Sequence, residues 1–295
     1  MAISIQNALR NTRTQLEEHS DAPHREAEWL LEHITGFNRT QLRMNELQIL
    51  SEQLVAQLNE LTLRRIGGQP LAYILGEQHF WTLRLKVNAS VLIPRPETEL
   101  VIERALHHLP QNHPSTALDL GTGSGAIALA LASERPATRV VATDYSTAAL
   151  EVARSNAILN QLVNVELLHS NWFNHVPPQR FSLILSNPPY IAENDPHVAK
   201  DVAQHEPHLA LFSGSDGLDS FRQIISRASD FLADQGWLVL EHGWQQAPAV
   251  REMLELAGFS SVASHADLAG HPRVTEGQWQ ISNPITSATE LQSRP

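Results

Sequence analysis

Asn187, Pro188, Pro189 and Tyr190 put a side-chain amide, two ring-locked residues and an aromatic ring within four positions. The run before them, Phe181 to Leu185, is short and apolar, the pattern of a strand buried on both faces. Two prolines cannot extend that strand, because they lack N–H donors and fix φ. A polar amide, a carbonyl freed from strand pairing and a flat ring are thus offered together at the carboxyl end of a buried strand. Open α/β sheets bind ligands there. Asn-Pro-Pro alone is usually a plain turn; the strand before it and Tyr190 after it make it a candidate site.

A second set lies upstream. Gly121-Thr122-Gly123-Ser124-Gly125 sits between a strand at Ala117–Leu120 and a small-residue helix from Ala126 to Ser133. Glycines there let the backbone approach a ligand that any side chain would meet first. Asp144 ends the next strand, Arg139–Thr143, where a carboxylate accepts both hydroxyls of an adenosine ribose. With Ala126 as the last small residue, the same glycines also fit a dinucleotide G-x-G-x-x-A turn. Asp119 precedes the turn. Trp172 follows the third strand, Val163–Leu168, either flanking an adenine ring or closing the edge of the core.

The elements that position these residues alternate. After the strand at Phe181 comes a fifth, Gly236–Glu241, between helices near 217–233 and 246–257, and two late runs, 260–265 and 273–281, close the sheet as an antiparallel pair. Alternation of this kind implies a doubly wound, mostly parallel sheet. Residues 1–75 read as a small helical bundle: Pro23 opens one helix that Gly36 closes, with Ala27, Leu30, Leu31 and Ile34 on one face, and Ser51 caps another bearing Leu54, Leu58 and Leu61. From Tyr73 to Leu92 the period changes to alternation at Phe80, Leu83, Leu85 and Val87, so residues 76–95 are read as a β-hairpin connector. The α/β domain spans 96–282. Glu97 or Thr98 is read as the cap of the helix Leu100–Leu109. His205-Glu-Pro-His208 is read as a loop, and the tail 283–295 as disordered.

Composition excludes several classes. The net charge is −11, and residues 1–75 hold seven Lys/Arg against nine Asp/Glu, which argues against a surface that tracks phosphate backbones. There is no cysteine, so no disulfide and no cysteine zinc site. The fifteen histidines show no His-Glu-x-x-His spacing, and no metal is expected. No apolar run is long enough for a membrane span, and Met1–Asn7 has neither a basic nor an apolar signal region, so a cytoplasmic protein is expected.

A dehydrogenase needs a place for a nicotinamide; here the fourth strand ends in Asn-Pro-Pro-Tyr instead. That motif resembles the Rossmann-like class I AdoMet-dependent methyltransferases that modify a planar nitrogen. Arg25-Glu-Ala-Glu-Trp-Leu-Leu31, Gly68-Gln-Pro-Leu-Ala-Tyr-Ile-Leu-Gly76, Leu92-Ile-Pro-Arg-Pro-Glu-Thr-Glu99 and Ser186-Asn-Pro-Pro-Tyr-Ile191 narrow the resemblance. Together with Glu206-Pro-His-Leu-Ala-Leu211 and Leu240-Glu-His-Gly-Trp-Gln-Gln246, they are similar to the protein-(glutamine-N5) methyltransferases of peptide chain release factors, the HemK/PrmC family. The resemblance covers nearly the whole chain. It implies that Gly121 to Gly125, Asp144, Trp172 and Asn187 hold S-adenosyl-L-methionine (AdoMet). It also implies that Asn187, Pro188, Pro189 and Tyr190 hold a glutamine of the release factor, with Asn187, Pro188 and Tyr190 serving the transfer. His205 before Glu-Pro and Phe212-Ser-Gly-Ser are departures from the family pattern. The rivals are a nucleic-acid N-methyltransferase, since an adenine amino group fits the same acceptors, and a catalytically silent binding module.

Overall fold

The computed structural model describes residues 3–196 and 200–281. The chain opens with five helices, α1 (Ile5–Leu16), α2 (Pro23–Thr35), α3 (Arg39–Met44), α4 (Glu52–Ile66) and α5 (Leu71–Leu75), and a two-residue ladder of β1 (Ile3–Ser4) with β2 (Ile49–Leu50). Local chemistry sets the helix ends. Ser4 and Ser51 accept from the backbone at the starts of α1 and α4, Asn38 and Gln41 form a capping box on α3, and Gly36 closes α2 at φ 71°. Ile5, Leu30, Leu31, Leu42, Leu58 and Ile74 form one apolar cluster, and the Arg65 guanidinium holds Glu26 with two hydrogen bonds, tying α4 to α2.

Tyr73, read from sequence as the start of the alternating stretch, lies in α5 instead, and its hydroxyl donates to the Val91 carbonyl. Alternation begins only after Gly76. The hairpin is β3 (Glu77–Phe80) and β4 (Leu83–Lys86), and the chain from there to residue 95 forms no strand. Its apolar residues are not idle: Phe80, Leu83 and Leu85 are buried with one face of the main sheet. Asn156 bonds both the N–H and the carbonyl of Lys86 through its side chain, locking the hairpin to the α/β unit.

A 3-10 turn, Pro96–Thr98, leads into α6 (Glu99–His108). Then come β5 (Ser115–Leu120), α7 (Ala126–Glu134), β6 (Thr138–Asp144), α8 (Thr147–Leu159), β7 (Val165–His169) and β8 (Phe181–Ser186). The remainder is α9 (Lys200–His205), α10 (Asp219–Phe231), β9 (Leu232–Glu241), α11 (Ala247–Leu256), β10 (Ser260–Ala266) and β11 (Pro272–Gln278). The seven-stranded sheet runs β10-β11-β9-β8-β5-β6-β7, parallel except where β11 pairs with β9 and β10. Side-chain alternation sends Ala117, Val140, Leu183 and Val239 to the face under α6, α7 and the hairpin. Leu118, Val141, Ile184 and Leu238 face α10 and α11.

Two local readings change. Thr98 stands at the start of α6 but makes no capping bond, and its side chain turns elsewhere. His205, placed by sequence in a loop, is the last residue of α9, and a 3-10 turn starts at His208. The helical signal was masked by Pro207, which lies just beyond the helix rather than inside it. The tail from residue 283 lies outside the described residues.

Candidate active site

Sheet order makes the site. The chain moves outward from β5 through β6 to β7, then crosses back to β8 and β9 on the other side of β5. Between β5 and β8 the order reverses, and the carboxyl ends there open a crevice. Register aligns the ends: Leu120 pairs with Thr143 on one side and Ser186 on the other, and Ser186 pairs with Leu240. The glycine turn, Asp144, Asn187 and Glu241 therefore leave the sheet abreast. Ser186 Oγ donates to the Leu120 carbonyl at 2.7 Å and sews the two central ends together.

These ends border a cavity of about 590 Å³, lined by Gly121, Thr122, Gly123, Ser124, Asp144 and Trp172 on one side and Asn187 and Pro189 on another. Asp144 accepts from the Gly123 N–H and the Ser146 N–H, both at 2.8 Å, one bond on each carboxyl oxygen. Burial pushes its carboxyl up, opposed by those backbone donors. Each oxygen keeps acceptor capacity toward the cavity. Gly123 has φ 55°, and a Cβ there would meet no protein atom. Gly125 is different: its Cβ would lie 2.9 Å from Leu129 and 3.3 Å from Ala153. It does not line the cavity; it lets α7 pack closely. Trp172 adopts φ 48°, a costly conformation for a bulky residue, and its ring edge lies where a Cβ on Gly121 would point, 3.6 Å away.

Asp119 supports the turn from below. It is fully buried, accepts from Thr122 Oγ1 at 2.6 Å, and its Oδ1 has no close hydrogen-bond partner among the described residues. Burial pushes its carboxyl up to about 7, with Asp144 adding to the effect and Thr122 opposing it.

At the other end, Asn187 Nδ2 donates to Thr98 Oγ1 at 3.2 Å. Pro188 is buried and Tyr190 is packed into the cluster under α10 and α11, and neither ring lines the cavity. Burial raises the Tyr190 hydroxyl well above its ordinary range. The Tyr190 carbonyl accepts from Gln246 Nε2 at 2.9 Å, so a side chain beyond β9 pins the motif's backbone.

Sequence reasoning missed the far wall. Ser90, Val91, Leu92 and Pro94 line the cavity, and so do Pro207, Leu209 and Phe212 beyond α9. Glu206 joins the two segments: buried, it accepts from the Ile93 N–H at 3.1 Å and pairs with Arg95. The signal was available in a buried-looking Glu-Pro step and an Arg-Pro step, but only the fold brings residues 95 and 206 together. Glu241, buried at the end of β9, was also given no role.

Residues 102–209 match the family model Methyltransferase small domain, and residues 7–76 match PrmC N-terminal domain. Among curated relatives, the release factor glutamine methyltransferase of Yersinia pestis is 48% identical over 264 residues, 89% of this chain and 95% of that one. The release factor glutamine methyltransferase of Aliivibrio fischeri is 41% identical over 285 residues, 96% of this chain and all of that one. The solved structure of a methyltransferase from Pyrococcus furiosus, 20% identical with a TM-score of 0.51 over 68% of this chain and 90% of that chain, has the same fold. Identity of this degree along nearly the full length, over a cavity built at the sheet's reversal, means that the chain belongs to the release factor glutamine methyltransferase family.

Proposed function

We propose that the chain transfers a methyl group from AdoMet to the side-chain amide nitrogen of the glutamine in the Gly-Gly-Gln motif of peptide chain release factors, in support of translation termination. The observation that carries this reading is the single cavity shared by the glycine turn, Asp144 and Asn187 in a chain of this family. In this reading residues 1–75 recognise the release factor, 76–95 join the two parts and 96–282 carry the transfer in the cytoplasm. No helix among the described residues is long and apolar enough to cross a membrane.

The residues present fit AdoMet. Gly123 leaves a backbone cradle that a side chain would fill, Asp144 has acceptor capacity left for ribose hydroxyls, and Trp172 and the Val91–Leu92 wall offer apolar surface to an adenine. Bound there, AdoMet supplies an electrophilic sulfonium methyl. The work left to the protein is placement.

An amide nitrogen is a weak nucleophile because its lone pair is delocalised into the carbonyl. The Asn187 carbonyl oxygen and the Pro188 backbone carbonyl can accept its two N–H bonds, which aims the lone pair and favours the positive charge that grows on nitrogen. Pro189 stiffens that backbone, and the Gln246 bond to the Tyr190 carbonyl holds its far end. Tyr190 is packed under the motif, so its ring supports the backbone from the core side. An N-alkylated amide cation is acidic enough to lose its proton to water without a dedicated base.

The test is mass spectrometry of a purified release factor after incubation with the chain and AdoMet. Gain of one methyl group on the Gly-Gly-Gln peptide is expected. An unmodified peptide, with AdoMet shown to bind, would redirect the search to nucleic-acid amino groups.

A further inference from the structure

Glu241 has no part in the mechanism above, yet strand register sets it beside Asn187: Ser186 pairs with Leu240, so the next residue of each strand leaves the sheet together. Glu241 is 2% exposed, and its Oε2 has no hydrogen-bond partner among the described residues. The Thr98 hydroxyl and the Asn187 amide both favour its ionised form. Thr98 is buried, leaves α6 uncapped, and accepts from Asn187 Nδ2. A buried charge in this position costs stability, and its placement behind the reacting amide calls for a reason.

That reason lies in a property of hydroxyls. A threonine Oγ can donate or accept, and an asparagine side chain can be turned over with almost no change in shape. Thr98 alone would tolerate either face of Asn187. If Thr98 donated, the Asn187 oxygen would turn toward it and the NH₂ would face the substrate, where it would oppose an incoming N–H. An ionised carboxylate can only accept. It accepts the Thr98 O–H, so Thr98 must accept from Asn187 Nδ2, and the Asn187 oxygen is left toward the cavity.

Resting on the reading that Asn187 accepts a substrate N–H, we propose that Glu241 is a positioning residue, acting through Thr98 to fix the Asn187 amide with its oxygen toward the substrate. Protonated Glu241 becomes a donor, and the ambiguity returns. The groups facing it are Thr98 and Glu97 from the 3-10 turn, Asn187 after β8 and Arg273 from β11, with Tyr190 within its field. Burial is the largest influence and pushes the carboxyl up to about 7; Thr98, Arg273 and Asn187 oppose it and Glu97 adds to it. Orientation is therefore secure above that pH and is lost as pH falls through it.

The experiment is single-turnover methylation of a purified release factor at saturating AdoMet from pH 5.5 to 8.5, a range of about three units around neutrality, with calorimetry of AdoMet binding alongside. Glu241→Gln replaces a group that only accepts by an amide that can also donate, so Thr98 is no longer forced to accept from Asn187. It is expected to slow the step on the order of 100-fold, the scale of a misplaced reacting group, with AdoMet affinity kept and the acid limb of the wild-type profile gone. A wild-type rate, or a slow rate that keeps the acid limb, overturns the proposal. Should Glu241→Gln fail to bind AdoMet, Thr98→Val and Thr98→Ser decide. The valine variant is expected to be slow and the serine variant to recover much of the rate, whereas a fast valine variant overturns the proposal. If the wild type itself leaves the release factor unmodified, it is the functional reading that fails.

Discussion

The two ends of the cavity are built from different materials. At the β5–β6 end the carboxylate proposed to hold AdoMet, Asp144, is held by backbone N–H groups of Gly123 and Ser146, and the turn above it is shaped by glycine. At the β8–β9 end the amide proposed to serve the transfer, Asn187, bonds a side-chain hydroxyl, with the buried Glu241 carboxyl beside it. Backbone donors have fixed polarity and cannot be turned over. Side-chain networks can reverse, and each member is a point of failure. In the proposed reading the cofactor end is thus prepared by folding itself, whereas the transfer end relies on charge to choose between two arrangements of similar shape.

The largest break is expected at the transfer end. Asn187→Ala removes an acceptor that acts mainly as charge develops, so turnover should fall on the order of 10²- to 10³-fold. AdoMet affinity, set mostly at the other end, should change little. Single-turnover rates and calorimetry on the same preparation check this, and near-normal turnover would remove Asn187 from the chemistry. At the cofactor end, Asp144→Ala should weaken AdoMet binding by about 1–3 kcal/mol, the cost of lost charge-assisted hydrogen bonds. Its kcat at saturating AdoMet should stay close to wild type. A fall in kcat with unchanged affinity would mean that the two ends are not separable.

Within the glycine turn the comparison sharpens further. Gly123→Ala places a methyl where no protein atom stands, so its main effect should be on AdoMet affinity, with a modest cost for an alanine at φ 55°. Gly125→Ala drives a methyl against Leu129 and Ala153, so it should lower the melting temperature by more than Gly123→Ala does. Thermal melts of the two variants without AdoMet, followed by its titration, separate the two roles. Equal loss of stability would show that both glycines serve packing.

What the sequence revealed divides along the same line. The glycine turn, Asp144 and Asn187 were legible because strand–turn–helix spacing and a strand halted by two prolines are local patterns. The doubly wound, mostly parallel sheet followed from alternation, but the order of its strands did not. Thr98 and the Glu206–Arg95 pair were not legible, because Asn187–Thr98 and Arg95–Glu206 lie 89 and 111 residues apart and meet only in the folded chain, and Glu241 comes beside Asn187 only through sheet register. Thr98 also carried a plausible local role, helix capping, which the tertiary bond to Asn187 displaced. Tyr73 shows the opposite case: a helix of only five residues is too short for its periodicity to register against the alternation that follows.

The smallest expected effect concerns stability rather than rate. Glu241 moves from an ordinary 4.5 to about 7 in the folded protein. Between those values the folded chain holds a proton that the unfolded chain has released, so stability declines as pH rises through the window and is level above it. Asp119, raised from 3.8 to about 7, adds to the same slope. Glu276 acts in the other direction. Burial raises its carboxyl, but His108 and Arg104 outweigh that and bring it down from 4.5 to about 2, so its contribution is full above 4.5 and fades only in acid. Glu241→Gln removes one of the two burdens near neutrality. Its melting temperature should exceed the wild type's at pH 8 by on the order of a few degrees and approach it at pH 5. That gain, in the same variant that transfers slowly, is what a charge retained for orientation should produce. A variant less stable at pH 8 would mean that the carboxylate holds the strand ends together, and the contrast between a backbone-built end and a charge-oriented end would then lose its energetic basis.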